Sequence, residues 1–128
     1  MIHGIGIDMV AIRRMQENID RYGLRFAGKI LSASEMQEYP GVARPASYLA
    51  KRFAAKEALA KALGAGFRNG ITLKNISINH GIDGQPIIIC AGKILEFMAS
   101  RKICNSHLTI TDEKDYACAC VVLEKSSA

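Results

Sequence analysis

The sequence predicts an α+β domain over residues 1–128, with an N-terminal strand and helices in its first half and hairpin strands in its second. Apolar residues recur at helical spacing as far as Leu63, whereas short alternating runs separated by turn residues follow Leu73. A chain of 128 residues can bury one hydrophobic core, and its apolar content of 49% is typical of a globular protein.

The first predicted element is a strand over Ile2–Val10 whose two faces differ in character. One face is apolar and consists of Ile5, Ile7 and Met9. The other face consists of Gly4, Gly6 and Asp8. Aspartate is disfavoured in strands and costs free energy when it is buried without a partner. Asp8 is therefore either a functional carboxylate or the N-cap of the next helix.

Two shorter helices are predicted before the centre of the chain. The first runs over Ile12–Tyr22, ends at a glycine, and carries more arginine than acid on its polar side. These arginines, one of which lies just beyond the helix, are Arg13, Arg14, Arg21 and Arg25. Ser32 and Glu35 form a capping-box signature for a second helix that ends before Pro40, and a loop over 41–45 follows.

The central helix, predicted over Ser47–Leu63, has the most unusual charge pattern in the chain. Glu57 is the only acid between Arg44 and Lys74, a segment that holds seven lysines and arginines. Lys56 falls inside the apolar stripe of this helix. Either its aliphatic stem extends so that the ammonium group reaches water, or the charged group has a role in the protein interior.

Two interpretations of the central helix remain open. In the first, it is a solvated amphipathic helix with a glycine cap, and Glu57 and Lys61 form a surface ion pair one turn apart. In the second, its cations and the backbone N–H groups of the turn at 64–66 bind phosphate oxygens, while the carboxylate binds a divalent metal.

The second half of the chain is predicted to contain two hairpins and a helix between them. In order, the elements are strands over Leu73–Asn79 and Pro86–Cys90, a helix over Gly92–Arg101, and strands over His107–Thr111 and Tyr116–Glu124. His107, Thr109 and Thr111 share a polar face of the second hairpin. Four cysteines (Cys90, Cys104, Cys118 and Cys120) lack the spacing of a zinc site, which predicts reduced, packed thiols.

Charge and composition narrow the class of partner. A net charge of +5 predicts an anionic partner, which is a nucleic acid, an acidic protein or a phosphorylated small molecule. The chain has no tryptophan and does not interleave aromatic residues with arginine and lysine as single-strand binders do, so an acidic protein or a phosphorylated small molecule fits equally well. No apolar run approaches the ~20 residues that cross a bilayer, and no signal peptide is recognisable, so we expect a cytoplasmic protein without membrane contact.

Six short motifs, taken together, resemble a known family. They are Gly4–Val10, Arg52–Ala58, Lys61–Gly66, Gly84–Pro86, His107–Asp112 and Asp115–Ala117. In this order and at these spacings they are similar to the motifs of the holo-[acyl-carrier-protein] synthases, the short bacterial type of 4′-phosphopantetheinyl transferase. The similarity covers nearly the whole chain.

This resemblance implies an activity, a fold and an assembly. Members of the family transfer 4′-phosphopantetheine from coenzyme A to a serine of apo acyl carrier protein, in support of fatty acid biosynthesis. They release adenosine 3′,5′-bisphosphate and require Mg²⁺. Their fold is α+β, with a small antiparallel sheet and a long central helix. They form homotrimers with active sites between subunits, so the resemblance implies the same for this chain.

The resemblance also implies roles for individual residues. Asp8 and Glu57 match the two metal-binding carboxylates, and Lys61 matches the lysine that meets the pyrophosphate. The acceptor of the serine proton is either Glu57 or a carboxylate-held water. The positions that match coenzyme A contacts are Arg44, Arg52, Lys61, Gly64, Ala65, Gly66, Gly84, Pro86, His107 and Thr109. Those that match the docking surface for acyl carrier protein are Arg14, Arg21 and Arg25.

Four positions depart from the family pattern without touching the metal pair. Ala65 and Gln85 replace a frequent threonine and lysine, and Phe53 and Asp112 replace a frequent tryptophan and histidine. These four departures bear on individual contacts to coenzyme A and do not change the reaction that the resemblance implies. A basic nucleic-acid-binding module is the alternative from another class, and an inactive relative is a third. Asp8 and Glu57 argue against the first alternative, because acids at a binding face repel phosphate unless a metal is present, so we expect no nucleic-acid partner. An inactive relative would be expected to lack Asp8 or Glu57, and both are present.

Overall fold

The structure, a computed structural model, describes residues 1–64, 66–67 and 70–127. Within this part of the chain, strands and helices follow one another in a mixed order. They are β1 (Ile2–Ala11), α1 (Ile12–Tyr22), α2 (Leu24–Ile30), α3 (Ala33–Glu38), α4 (Pro45–Leu63), β2 (Ile76–His80), β3 (Pro86–Cys90), α5 (Lys93–Ser100), β4 (Ile103–Asp112) and β5 (Tyr116–Lys125). Short 3₁₀ turns occupy Tyr39–Gly41 and Leu73–Asn75. The α+β class predicted from the sequence is confirmed.

Two antiparallel sheets organise the fold. β5 lies in the centre of the larger sheet, between β1 and β4, while β2 and β3 form a separate hairpin. The register places Asp8 of β1 opposite Ala119 of β5, and Ala119 opposite Ile110 of β4. The three-stranded sheet therefore holds the N-terminal and C-terminal strands together, with the N–H of Lys125 donating to the carbonyl of Met1 over 2.7 Å.

The central helix α4 packs against one face of the larger sheet and is enclosed on most of its surface. Alanines supply most of its buried positions, and alanine has the highest helix propensity and the smallest side chain. Proline at its first position and Gly64, with φ of 84°, mark its two ends. The solvated amphipathic interpretation of α4 is therefore wrong, because buried residues surround its axis rather than lying along one stripe.

The sheet meets α4 through the glycine face of β1. A Cβ atom added to Gly6 would lie 1.9 Å from the carbonyl oxygen of Ala58, and one added to Gly4 would lie 2.1 Å from that of Ala62. Both glycines are thus required for backbone-to-backbone contact between strand and helix. The opposite face of β1, with Ile5, Ile7 and Met9, is exposed. An apolar strand face turned away from the core is unusual and calls for a covering surface.

Several boundaries differ from those predicted. The helix α2 was not predicted, because Gly23 indicated the end of a helix. Gly28, which lies inside α2, also lowers the helix propensity of that segment. β4 begins four residues before the predicted start at His107, since pairing with β5 extends it. The first part of the strand predicted from Leu73 is a 3₁₀ turn.

Two further features bear on the class of protein. All four cysteines are free thiols, as predicted, but Cys104 is exposed rather than packed. Within the described part of the chain, no helix combines the length and the apolar character that crossing a membrane requires.

Candidate active site

The edge of the glycine face brings together two of the predicted catalytic residues. Lys61 in α4 donates from Nζ to Asp8 Oδ1 over 3.1 Å and to the Ile7 carbonyl oxygen over 2.9 Å. Asp8 is thus the ion-pair partner of Lys61. The N-cap interpretation of Asp8 is wrong, because Ala11 occupies that position and no side chain caps α1.

Glu57 lies one turn before Lys61 on α4 and belongs to the same group. Burial is the main cause that raises the pKa of Glu57, and the negative charge of Asp8 raises it further. The charges of Lys61 and Arg14 act in the opposite direction. Two carboxylates that repel each other beside a lysine and an arginine form a site in which an added cation would be stabilised.

A cleft of about 510 Å³ opens beside this group at the end of α4. Glu57, Lys61, Gly64 and Gly66 line it, together with Ala60 and Phe67. Both glycines have positive φ, 84° and 66°, which a residue with a side chain rarely adopts. The predicted glycine turn therefore adjoins the predicted catalytic residues. Ala65, which was predicted to contact coenzyme A, lies outside the described residues.

The chemistry of this donor set suits Mg²⁺. Among the described residues, no group of three or more histidines, cysteines and acids converges on one point. A metal at Asp8 and Glu57 would therefore complete its shell with water and with oxygens of a bound ligand. Mg²⁺ is commonly held in this way, by one or two carboxylates and substrate phosphates, whereas Ca²⁺ and Zn²⁺ sites use more protein ligands.

Lys56 is fully buried and takes no part in the cleft. Its Nζ donates to Glu35 Oε1 over 2.6 Å, to the Ile30 carbonyl oxygen over 2.7 Å and to that of Leu73 over 3.1 Å. The ammonium group therefore does not extend to water, and burial lowers the pKa of Lys56. Sequence reasoning identified Glu35 as a cap, which is confirmed, but missed its second role as counter-ion.

Arg52 lies beside this buried pair rather than in open solvent. Its side chain is 7% exposed, its Nε is 3.4 Å from Glu35 Oε2, and its Cζ lies 3.6 Å from the ring centre of Tyr48. A phosphate contact by Arg52 stays a prediction, and it would involve the small part of the guanidinium that Glu35 and Tyr48 leave uncovered.

The other predicted coenzyme contacts lie in two separate places. Arg44 lines a cleft of about 620 Å³ at the start of α4, together with Ser47 and Asp112, whose side chains are hydrogen-bonded over 3.4 Å. Pro86 and His107 line a smaller cavity of about 260 Å³ between β3 and β4. Gly84, with φ of 83°, lies in the turn just before that cavity.

His107 and Thr109 point away from the carboxylate pair. In the register of the sheet they lie opposite Val122 and Cys120, which in turn lie opposite Ile5 and Ile7 of the exposed face. His107 is paired with Glu124, and that hydrogen bond lowers the pKa of the Glu124 carboxyl. One chain therefore brings Asp8, Glu57 and Lys61 together but does not bring His107 and Thr109 to them.

The predicted docking arginines are exposed on neighbouring helices. Arg14 and Arg21 lie on α1, and Arg25 lies on α2. Arg13, on the same helix as Arg14, is paired with Glu17 over 3.2 Å. Since the charge of Arg14 acts on Glu57, the basic surface extends to the edge of the carboxylate site.

Comparison with known proteins identifies the family of this chain. Residues 4–121 match the model of the 4′-phosphopantetheinyl transferase superfamily. The chain is 46% identical over 125 residues to a holo-[acyl-carrier-protein] synthase of Aromatoleum aromaticum. The aligned region covers 98% of this chain and 99% of the relative.

Two solved structures share both the fold and the length. The holo-[acyl-carrier-protein] synthase of Neisseria meningitidis superposes with a TM-score of 0.93 at 41% identity, over 98% of this chain and all 100% of that one. The enzyme of Bacillus anthracis, solved in complex with CoA (3′,5′-ADP), gives a TM-score of 0.82 at 34% identity, over 98% and 99% of the two chains. This chain therefore belongs to the 4′-phosphopantetheinyl transferase superfamily.

Proposed function

We propose that this protein transfers the 4′-phosphopantetheine group of coenzyme A to a serine of apo acyl carrier protein, with release of adenosine 3′,5′-bisphosphate. The observation that carries the proposal is the convergence of Asp8, Glu57 and Lys61 beside a glycine-bordered cleft. The names of the full-length relatives support the same reaction. The chain then acts as one domain, in the cytoplasm, where it supplies holo carrier protein for fatty acid biosynthesis.

The residues of the site suit attack of a hydroxyl on a pyrophosphate. Lys61 is fixed by two acceptors on β1, so its ammonium group is already oriented when the coenzyme enters the cleft. Negative charge grows on the departing bisphosphate, and a fixed cation there stabilises it. The N–H of Gly64 is used at the end of α4, where it donates to the carbonyl oxygens of Ala60 and Lys61, so the donor offered to phosphate oxygens at this turn would be the N–H of Gly66.

Asp8 and Glu57 would hold Mg²⁺ in this proposal. When bound, the ion would supply Lewis-acid stabilisation of charge on the pyrophosphate. The pKa of Glu57 is raised mainly by burial and further by repulsion from Asp8, and the bound ion would offset that repulsion.

A direct transfer assay tests the function. Apo carrier protein, coenzyme A and Mg²⁺ are incubated with the protein, and the carrier is weighed by mass spectrometry. We expect the mass of one phosphopantetheine group to be added at a single serine. An unchanged carrier mass at high protein concentration would contradict the proposal. Tight, salt-sensitive DNA binding without Mg²⁺ would favour the nucleic-acid alternative instead.

We also propose a homotrimer with active sites between subunits. The apolar outer face of β1, with Ile5 at 67%, Ile7 at 60% and Met9 at 64% exposure, supports an interface on this surface. His107 and Thr109 lie on the same side of the sheet, so covering this side would bring them against a neighbouring copy. A coenzyme bound to Lys61 of one copy would then meet His107 of another.

Introducing a charge on this outer face should separate the subunits. We expect Ile7→Lys to lower the mass in solution from that of a trimer to that of a monomer, because a buried lysine without a partner is costly. Transfer activity should fall with it. Leu95→Lys, at an exposed leucine of α5, is the control and should leave both unchanged. Analytical ultracentrifugation measures the mass in solution, and the transfer assay measures the activity of the same samples. If Ile7→Lys still forms a trimer, the interface does not lie on this face.

The exposed arginines of α1 and α2 form the proposed docking surface for the acidic carrier protein. Arg21→Glu should raise the KM for carrier protein several-fold without changing that for coenzyme A, because charges at the rim of an interface act mainly on association rate. Arg14→Glu should in addition lower kcat, since the charge of Arg14 acts on Glu57.

The docking prediction is checked by measuring both KM values at low and high salt. Arg101→Glu, which reverses an exposed arginine just after α5, is the matched control. We expect Arg21→Glu to flatten the decline of activity with salt, whereas Arg101→Glu keeps it. Equal losses for both substrates would indicate a folding defect, and an unchanged KM for carrier protein would place docking on another surface.

A further inference from the structure

Lys61 supplies the charge that balances Asp8 within the described part of the chain. Its Nζ donates to Asp8 Oδ1 over 3.1 Å and to the Ile7 carbonyl oxygen over 2.9 Å. The side chain of Asp8 is only 18% exposed, whereas that of Lys61 is 53% exposed. A carboxylate with so little access to water is costly without a partner charge. The ion pair therefore meets a need of Asp8 rather than one of Lys61.

This ion pair uses an oxygen that the proposed metal site requires. Asp8 and Glu57 are the two carboxylates of that site, and repulsion from Asp8 adds to the effect of burial in raising the pKa of Glu57. The positive charge of Lys61 opposes that rise. An ammonium group and a divalent ion on the same carboxylate repel each other strongly, because the distance between them is short. Lys61 and Mg²⁺ are therefore competitors for Asp8.

Lys61 has other acceptors when it leaves Asp8. The Ile7 carbonyl oxygen is uncharged and can keep one of the three N–H groups of the lysine. Asp8 uses a second N–H, and the third has no acceptor among the described residues. The same side chain lines the cleft of about 510 Å³ that adjoins Gly64 and Gly66. Phosphate oxygens in this cleft would be charged acceptors for the ammonium group, within reach of its present position.

We infer that Lys61 is a resident counter-ion of Asp8 that coenzyme A displaces: the pyrophosphate attracts the ammonium group away from Asp8, and this carboxylate becomes available to Mg²⁺. The coenzyme and the ion then bind cooperatively. The inference rests on the proposed function, since both are ligands of that reaction. It gives Lys61 a second role besides its contact with the departing phosphate, because the lysine weakens Mg²⁺ binding until the donor is present.

Isothermal titration of Lys61→Met with Mg²⁺, without and with coenzyme A, tests the inference. Methionine keeps the length of the stem and removes the competing charge. Without coenzyme A, we expect the variant to bind Mg²⁺ about two- to fivefold more tightly than the wild type, which is the range that a partly exposed ion pair allows. With saturating coenzyme A, the two proteins should bind Mg²⁺ alike. Cooperativity between coenzyme and ion should therefore be greater in the wild type than in the variant.

Arg14→Gln separates the contact with Asp8 from the effect of charge alone. Arg14 is exposed and its charge acts on Glu57, but among the described residues it forms no ion pair with Asp8. Its removal should change the affinity for Mg²⁺ by the same factor with and without coenzyme A. An equal gain in both conditions for Lys61→Met, or no gain without coenzyme A, would overturn the inference. A wild type that shows the cooperativity but transfers nothing would instead overturn the proposed function.

Thermal unfolding keeps the test decisive if Lys61→Met folds poorly. Removal of Lys61 leaves Asp8 without its counter-ion, so the variant should unfold at a lower temperature than the wild type in chelator. Mg²⁺ replaces the missing charge and should raise the unfolding midpoint of the variant by more than that of the wild type. Lys114→Met, at an exposed lysine between β4 and β5, is the matched control and should respond as the wild type does. A rise for Lys61→Met no larger than that of the wild type would overturn the inference.

Discussion

Glu57→Gln should reduce transfer by about 100-fold or more, since Lewis-acid stabilisation is worth several kcal/mol and about 1.4 kcal/mol corresponds to a factor of ten. Glutamine keeps the shape of the side chain and removes its charge. Asp8→Asn should have an effect of the same order, because the two carboxylates act on one ion. Adding a chelator to the wild type should mimic both variants, and Mg²⁺ should restore the wild type alone.

The same substitution should not destabilise the fold. The pKa of Glu57 is raised in the folded protein, so folded Glu57 retains a proton that the unfolded chain has lost in the pH range just above 4.5, its ordinary value. Stability conferred by that proton falls as the pH rises through this range, and near neutral pH the buried charge is a remaining cost. In chelator, Glu57→Gln should therefore unfold in urea at a concentration equal to or above that of the wild type.

A control variant separates charge at the site from charge in general. Glu96→Gln removes an exposed carboxylate from α5 and should leave both transfer and urea stability unchanged. Full activity of Glu57→Gln in the presence of chelator would remove Glu57 from the metal site. A large loss of stability would mean that its carboxylate supports the fold.

Gly6→Ala should damage fold and activity together, in contrast to Glu57→Gln. The added methyl group would lie 1.9 Å from the Ala58 carbonyl oxygen and 2.7 Å from the Ala62 nitrogen, and both are backbone atoms that cannot rotate away. β1 must then move off α4, with overpacking costs of about 1–3 kcal/mol. The same displacement moves Asp8 away from Glu57 and Lys61, so residual folded protein should bind Mg²⁺ more weakly.

Gly28→Ala is the matched control for that change. Gly28 lies inside α2, and an added Cβ there meets nothing within 4 Å. It should raise stability, by roughly 0.5–1 kcal/mol, because alanine is the better helix former. Thermal unfolding and isothermal titration with Mg²⁺ measure the two effects. Wild-type stability of Gly6→Ala would mean that β1 and α4 are less tightly apposed than their backbone positions indicate.

Local patterns in the sequence were sufficient for most elements and for the two carboxylates of the candidate site. The alternation in β1 identified Asp8 as anomalous, and the charge pattern of α4 identified Glu57. Both are local signals, because the side-chain repeat of a strand or helix determines which residues share a face. The fixed order of motifs then related the two segments, which are about fifty residues apart, to one function.

Contacts between distant segments could not be predicted in the same way. Nothing near Lys56 in the sequence indicates that its counter-ion is Glu35, 21 residues earlier, because the capping box already accounted for that carboxylate. The partner of Lys61 is likewise Asp8 rather than Glu57, its neighbour on the helix. In each case the tertiary fold provides an acceptor that competes successfully with the local one.

The orientation of β1 was also beyond the reach of pattern alone. Alternation separates two faces but does not say which is buried, and hydrophobicity suggests the isoleucine face. The glycine face is the buried one, because only it permits the close approach of α4. A contiguous apolar face that points outward is typical of an interaction surface, so this orientation is also the strongest support for the proposed assembly of several chains.

That outward apolar face has a consequence for how the protein responds to its own abundance. If folding and assembly share this surface, the midpoint of thermal unfolding rises with protein concentration, since mass action favours the associated state. Specific activity would then fall on dilution, and carrier-protein modification in a cell would depend on the level of the enzyme more steeply than linearly.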